Sequence, residues 1–306
     1  MNFQTTDKLP CPDEMRSILT PTKAALTTKA TRDTKIAALL GDCPTHLGTV
    51  PGLLLIVGPC SAHCPDAVLE YTHLLAETAK EVADKILIIP RVYTAKPRSA
   101  SMGYMGILHQ PDGLFLARKM HLDILEQTGL STADEMLYPA LTPYFDDLVS
   151  YFAVGARSVQ NQEHRLVASG LTAPVGMKNP ISGELSDMEA AVRAAKSPHS
   201  FIFRDQFVQT SGNPLAHGVL RGIHNRPNFT EAKNTTLPYV LVDASHGNSR
   251  KEPKNQRNVA LEAIKIPKVK GIMIESFTHK NQSITDPCLP WQDTRHLIHE
   301  LYSSLD

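Results

Sequence analysis

No run of apolar residues in this chain approaches the about eighteen that a membrane-spanning helix needs. The amino-terminal stretch carries Asp7, Lys8, Asp13, Glu14 and Arg16 and has no apolar segment of signal-peptide length, so the expected address is the cytoplasm, with no membrane partner. Neither sign of charge is in excess: Lys plus Arg and Asp plus Glu each total 31. A balanced chain has no bulk attraction for nucleic acid or an anionic membrane, and no basic stripe or nucleic-acid motif supplies a local one. Any anion must be held by a particular arrangement of side chains. The five cysteines (Cys11, Cys43, Cys60, Cys64, Cys288) are odd in number and irregularly spaced, which argues against a disulfide framework. Reduced thiols are expected, and one could hold a metal. No glycine fingerprint of a dinucleotide fold follows the first apolar run, and no low-complexity segment or strong repeat is present.

What is present is enough for a full core: 306 residues, 42% hydrophobic and 20% charged. Residues 1–50 hold prolines, polar stretches and one helix-like segment, TKAALTTKATRDTKIAALLGD, and read as an arm outside the main fold. From residue 53 short apolar runs recur: LLLIVG, ILIIPRV, TADEML, AVGARSV, PVGMK, SFIF, YVLVD and GIMIES. Most are separated by segments in which apolar residues return every three or four positions, such as DAVLEYTHLLAETAKEVAD, DGLFLARKMHLDILEQTG, SDMEAAVRAAK and QRNVALEAIK. Strand alternating with helix implies a parallel sheet, and eight such units in this length fit an α/β fold of the TIM (β/α)8 barrel type over residues 51–306 with an N-terminal extension.

In such a barrel the site lies at the carboxyl ends of the strands. Those ends carry Cys60; Arg91, with Lys96 and Arg98 beyond; Glu135; Arg157; Lys178; then Arg221, His246, Glu275 and, further on, Asp286. Each has a bland reading alone. An Arg at a strand end is usually a solvated surface group, a lone Cys is usually a small buried apolar residue, and a lone loop His is usually just hydrogen-bonded. The conjunction is harder to dismiss, because like charges gathered around one axis repel unless an anion neutralises them. A small molecule bearing both phosphate and carboxylate suits such Arg forks and Lys point charges. Cys60, His246, Glu275 and Asp286 offer one soft, one intermediate and two hard donors, which suits a first-row divalent ion such as Mn, Fe, Co or Zn rather than Mg or Ca. A rival zinc site could use Cys60, His63 and Cys64, but one short segment makes it cramped and incomplete.

The segments VGPCSAH, PRVYTAKPRS, VGARSV, SGLTAPVGMKN, QTSGN followed by LRG, VDASHGNS, IESF and NQSITDPC occur in the order in which they resemble the type I DAHP (3-deoxy-arabino-heptulosonate 7-phosphate) synthases; even MNFQTTD is similar to that family's arm. The resemblance spans residues 53–295 and implies a (β/α)8 barrel, a divalent metal, phosphoenolpyruvate and erythrose 4-phosphate, and a homodimer or homotetramer. Its metal ligands fall on Cys60, His246, Glu275 and Asp286, with manganese first among the ions. Its phosphoenolpyruvate contacts fall on Arg91, Lys96, Glu135, Arg157, Lys178 and Arg221, with backbone from Gly155 and Ala156. Arg98 and Ser99 match the pair that holds the sugar phosphate, and Lys96, Glu135, Lys178 and His246 take the catalytic roles. The first step of aromatic amino acid biosynthesis is the implied activity.

The sequence departs from the family at the rim. The loop SASMGYMGILHQPDG is short and has Met105 where lysine is common, the insertion between IESF and NQSITD is absent, Tyr138 replaces an acid, and Cys64 an aspartate. The polar stretch holding the family's feedback hairpin is also shorter, so weak or absent inhibition by Phe, Tyr and Trp is expected. These changes leave open an alternative, a related synthase using another aldehyde in secondary metabolism. A catalytically dead metabolite-binding partner fits less well, since every ligand and cation is present.

Overall fold

The computed structural model describes residues 8–41, 50–98, 103–223, 225–278 and 283–305. Its strands, in chain order, are β1 (Leu53–Gly58), β2 (Ile86–Pro90), β3 (Thr132–Glu135), β4 (Val149–Val154), β5 (Val175–Lys178), β6 (His199–Phe203), β7 (Gln206–Thr210), β8 (His217–Leu220), β9 (Val240–Asp243), β10 (Val269–Phe277) and the short β11 (Leu289–Pro290). Parallel pairing runs β2-β1-β10-β9-β8-β5-β4-β3, and a bridge between Arg91 and Ala133 closes the last seam. Eight strands thus form the barrel expected from the alternating pattern. Around it lie α3 (Pro65–Glu81), α4 (Gly113–Thr128), α5 (Gln162–Ala168), α6 (Leu185–Lys196), α7 (Phe229–Asn234), α8 (Asn255–Ala263) and α9 (Trp291–Ser304), preceded by α1 (Pro12–Ile18) and α2 (Lys23–Leu40).

Strands covered on both faces have no polar side to show, which is why β1 and β2 read as unbroken apolar runs. Leu54, Ile56, Leu87, Ile89, Ala153, Val219, Leu241 and Met273 fill the barrel interior. Their neighbours Leu55, Val57, Ile88, Val242 and Ile274 face the helices, where they meet Val68, Leu75, Ala117, Met188 and Leu297. The segment read as an arm shares this core: Ile36, Leu39 and Leu40, from the last turns of α2, belong to the interior cluster. Arg32 of the same helix donates to Ser131 Oγ at 3.0 Å and to the Ile88 carbonyl, and Lys270 donates to Leu39 O at 3.1 Å. The helix therefore stops the amino-terminal mouth of the barrel. None of the described helices is long and apolar enough to cross a membrane.

Two strand assignments need correction. SFIF is extended, but it belongs to β6, which pairs antiparallel with β7 in a separate hairpin. The sixth barrel strand is β8, whose four residues include His217 and Gly218 and so show no apolar run. Arg221 still follows it directly. The fourth strand begins earlier than AVGARSV, at Val149, and that segment is mostly the turn that leaves it.

Candidate active site

Strand termini bring the cations to one cleft, as expected. Arg91, Lys96, Arg98, Glu135, Gly155, Ala156, Arg157, Lys178, Arg221, His246 and Asp286 all line it, around an empty volume of about 740 Å³ that includes its opening to solvent. Ser99 lies outside the described residues. Arg91 is the most enclosed cation: its Nη1 donates to Glu275 Oε1 at 2.7 Å, its Nη2 to Cys60 O at 3.3 Å, and its guanidinium lies 3.9 Å from the Tyr93 ring centre. Lys178 Nζ donates to Asp243 Oδ2 at 2.8 Å. Arg221 is held by its backbone N–H, which donates to Asn179 Oδ1 at 2.7 Å, and burial lowers its pKa. Arg98 Nε donates to Tyr104 O at 2.9 Å at the rim.

Glu135 ends β3, and Gly155 follows β4, the neighbouring strand. A Cβ at position 155 would stand 2.2 Å from Glu135 Oε1, so the carboxylate occupies space that only glycine leaves free. The Gly155 match found in the sequence thus has a steric meaning here.

Cys60 Sγ, one Glu275 oxygen and one Asp286 oxygen lie within 4.8 Å of one another, the one such group of three or more His, Cys, Asp or Glu among the described residues. Donors at 2.0–2.3 Å from a shared ion stand at most about 4.6 Å apart, so the three fit a cation with little adjustment. His246, the fourth expected donor, flanks them: its Nε2 is 3.8 Å from Glu275 Oε1. The mixture of thiol, imidazole and carboxylates matches a borderline transition ion. The Cys60, His63 and Cys64 alternative is not gathered; His63 Nδ1 faces Ser61 O at 3.3 Å and Cys64 stands just before α3.

The electrostatics are strongly coupled. Burial alone would raise the Glu275 carboxyl, but Arg91, then His246 and Lys96, bring it down to about 2. Burial, with Glu275 nearby, pushes the Cys60 thiol up. Lys96 donates to Cys60 O at 2.9 Å and to its Sγ at 3.1 Å; burial disfavours its charge, yet that neighbour lifts its pKa overall. Glu275 backbone N–H and C=O are both taken by the Gln256 amide, at 2.8 and 3.0 Å.

Asp243 was not legible as a site residue. Its Oδ2 accepts from Lys178 Nζ and lies 2.9 Å from His246 Nδ1, joining a cleft-lining cation to a candidate ligand. Against burial, His246 and Lys178 hold its carboxyl well below the usual range. His246 has φ 55, in the left-handed region that costs a non-glycine residue free energy. The contacts of Nδ1 with Asp243 and with Ser245 Oγ, at 3.0 Å, over-determine it. The only sequence signal for Asp243 was its place as the acidic end of VLVD.

Residues 32–296 match the model of the DAHP synthetase I family. The chain is 36% identical to the Tyr-sensitive phospho-2-dehydro-3-deoxyheptonate aldolase of Escherichia coli (strain K12), over 85% of this chain and 84% of that protein. Against the Trp-sensitive enzyme of the same organism the identity is 34%, over 96% and 98%. A solved phospho-2-dehydro-3-deoxyheptonate aldolase from Francisella tularensis superposes with a TM-score of 0.90 at 31% identity, over 99% of this chain and 98% of that one.

Proposed function

The chain belongs to the DAHP synthetase I family, and from that membership together with its cleft we infer that it condenses phosphoenolpyruvate with erythrose 4-phosphate, giving 3-deoxy-arabino-heptulosonate 7-phosphate and inorganic phosphate. The observation that carries this reading is the gathering of Arg91, Lys96, Arg157, Lys178 and Arg221 around one cleft with Glu135, beside the Cys60, Glu275 and Asp286 group. Five cations at one opening suit a molecule with both phosphate and carboxylate.

In this account Arg157, Lys178 and Arg221 hold the phosphate and carboxylate of phosphoenolpyruvate, with Gly155 and Ala156 lending backbone, so their contribution is positioning and charge stabilisation. Arg98 and Ser99 hold the phosphate of the sugar. Lys96 donates a hydrogen bond to the aldehyde oxygen as the enol carbon attacks the carbonyl carbon, and passes its proton to the alkoxide formed. The adjacent carbon is then electron-poor, and a water held by Glu135 and Lys178 adds to it, giving its proton to Glu135. Collapse of the phosphohemiketal breaks the C–O bond and releases phosphate, leaving the ketone. When bound by Cys60, His246, Glu275 and Asp286, a divalent ion, manganese before iron, cobalt or zinc, supplies Lewis-acid polarisation of the carbonyl oxygen. Asp243 keeps His246 in one orientation and accepts a hydrogen bond from Lys178 Nζ.

The reading takes residues 1–50 as an extension of the catalytic barrel of residues 51–306. It takes the protein to act in the cytoplasm, where phosphorylated sugars are made, as a homodimer or homotetramer. The alternative aldehyde is not favoured, since relatives matched over nearly the whole chain carry the heptonate aldolase name. The test is mass spectrometry of the product from phosphoenolpyruvate, erythrose 4-phosphate and the manganese-loaded protein. A seven-carbon keto-acid phosphate with one equivalent of released phosphate is expected; no such product would sink the reading.

A further inference from the structure

The barrel has one weak seam, and it runs under the site. Along the other seams adjacent barrel strands share a parallel ladder, but β2 and β3 meet through the Arg91–Ala133 bridge, with Val92 N–H donating to Ala133 O at 2.8 Å. Above that point the chain from β2 becomes the loop that carries Lys96, and β3 ends in Glu135. The backbone supplies no further rung between them among the described residues.

A side chain takes its place. Asp134 is buried, and its Oδ1 accepts the backbone N–H of Thr94 at 2.9 Å and that of Glu135 at 2.7 Å. Its Oδ2 accepts Thr94 Oγ1 at 2.6 Å and lies 3.2 Å from Nε2 of His121, on α4. These four contacts use the about four acceptor positions of a carboxylate. His121 is fully buried and its Nδ1 is 2.8 Å from Thr132 Oγ1. With Nε2–H directed at Asp134, Nδ1 accepts the threonine proton, so the network is closed at both ends.

A carboxylate between a barrel strand and the helix layer is costly to bury, and an apolar residue there would pack more simply. If Asp134 served only to satisfy His121, it would have no need to reach Thr94 and Glu135. What its Oδ1 does instead is bind two amides, one two residues from Lys96 and one on Glu135 itself. We propose that Asp134 is a positioning residue that replaces the missing rungs of the β2–β3 seam and sets the distance between Lys96 and Glu135, the two groups that act on the aldehyde oxygen and on the attacking water. The inference rests on the condensation reading above.

Asp134→Ala leaves the Thr94 and Glu135 amides without their partner and frees the Lys96 loop. Misplacing reacting groups by about 1 Å costs on the order of 100-fold in rate. Phosphoenolpyruvate affinity should largely hold even though Lys96 and Glu135 also face it, because the groups that hold its phosphate and carboxylate, Arg157, Lys178 and Arg221, lie at the ends of β4, β5 and β8, away from this seam. The experiment measures kcat by phosphate release with erythrose 4-phosphate, and phosphoenolpyruvate Kd by direct titration, on the metal-loaded full chain. The expected result is a kcat lower by about 100-fold with Kd within about threefold. Asp134→Asn keeps an oxygen for both amides and should recover kcat to within about fivefold of the unmodified protein. If the alanine variant does not fold, Asp134→Thr takes its place: its hydroxyl sits one bond closer to the backbone than the carboxylate oxygens and loses reach to the Thr94 amide across the seam, and about a tenfold fall in kcat is expected. A folded Ala or Thr variant with unchanged kcat, equal losses in kcat and affinity, or no recovery with Asn would each overturn the proposal. An unmodified protein that turns over no erythrose 4-phosphate would instead overturn the condensation reading on which it stands.

Discussion

Gly155→Ala should separate activity from stability. The new Cβ would lie 2.2 Å from Glu135 Oε1, where ordinary contact begins at 3.4 Å, so the carboxylate must retreat by about 1.2 Å. The obstructing atom is the end of a flexible, half-buried side chain, and Gly155 is not among the glycines with positive φ. Folding stability should therefore change by less than about 1 kcal/mol, with the restricted unfolded chain favouring alanine slightly. In the proposed mechanism the attacking water moves with the Glu135 carboxylate, and a displacement of that size corresponds to about 100-fold in kcat, or about 2.7 kcal/mol of transition-state stabilisation. Phosphate release gives kcat, and thermal unfolding gives the stability. The decisive control is a double-mutant cycle with Glu135→Ala: once the carboxylate is gone, alanine at position 155 should cost little more. Full activity in the single variant, or fully additive losses in the pair, would refute the reasoning.

Three further outcomes are expected. Cys60→Ala should abolish metal-dependent turnover while the circular dichroism of the barrel is retained, and chelation should silence the unmodified protein until manganese is restored. An unaffected rate would remove Cys60 from the ligand set. His217, buried and held by Tyr151 Oη at 2.9 Å, has its pKa lowered from 6.5 to about 4 by burial. The unfolded chain binds that proton near 6.5 and the folded one only near 4, so its stabilising effect is full above about 6.5 and is lost as pH falls through 4. The loss is on the order of 3 kcal/mol. His217→Gln should flatten the stability profile in that window, and an unchanged slope in urea titrations would contradict the assignment. The shortened hairpin of β6 and β7 predicts weak or absent inhibition by Phe, Tyr and Trp at millimolar concentration; half-inhibition well below that by any of them would show that the cleft beside Phe201, Phe203 and Val208 still binds one.

What the sequence revealed follows from where the information is local. Runs such as LLLIVG and YVLVD announce strands because both faces are buried, and polar residues just after them announce the site because a barrel has only one chemically active end. HGVL was hidden since His217 satisfies its ring through Tyr151 and the Leu215 carbonyl, contacts that no spacing reveals. SFIF has real strand character, but its alternately exposed pattern belongs to a ribbon outside the barrel. The role of Ile36, Leu39 and Leu40 in the barrel interior could not be read from a helix that looks like any surface helix. Asp243 and Asp134 were missed for a related reason: each acts through partners distant in sequence, Lys178 and Thr94, which only the closed barrel brings near.

The most direct test of the central claim is the rate of phosphate release from phosphoenolpyruvate across a panel of phosphorylated and unphosphorylated aldehydes, with manganese present. The account predicts that erythrose 4-phosphate is preferred by kcat/KM over every other aldehyde and that release ceases on chelation. Preference for a different aldehyde, or no release with any of them, would contradict it.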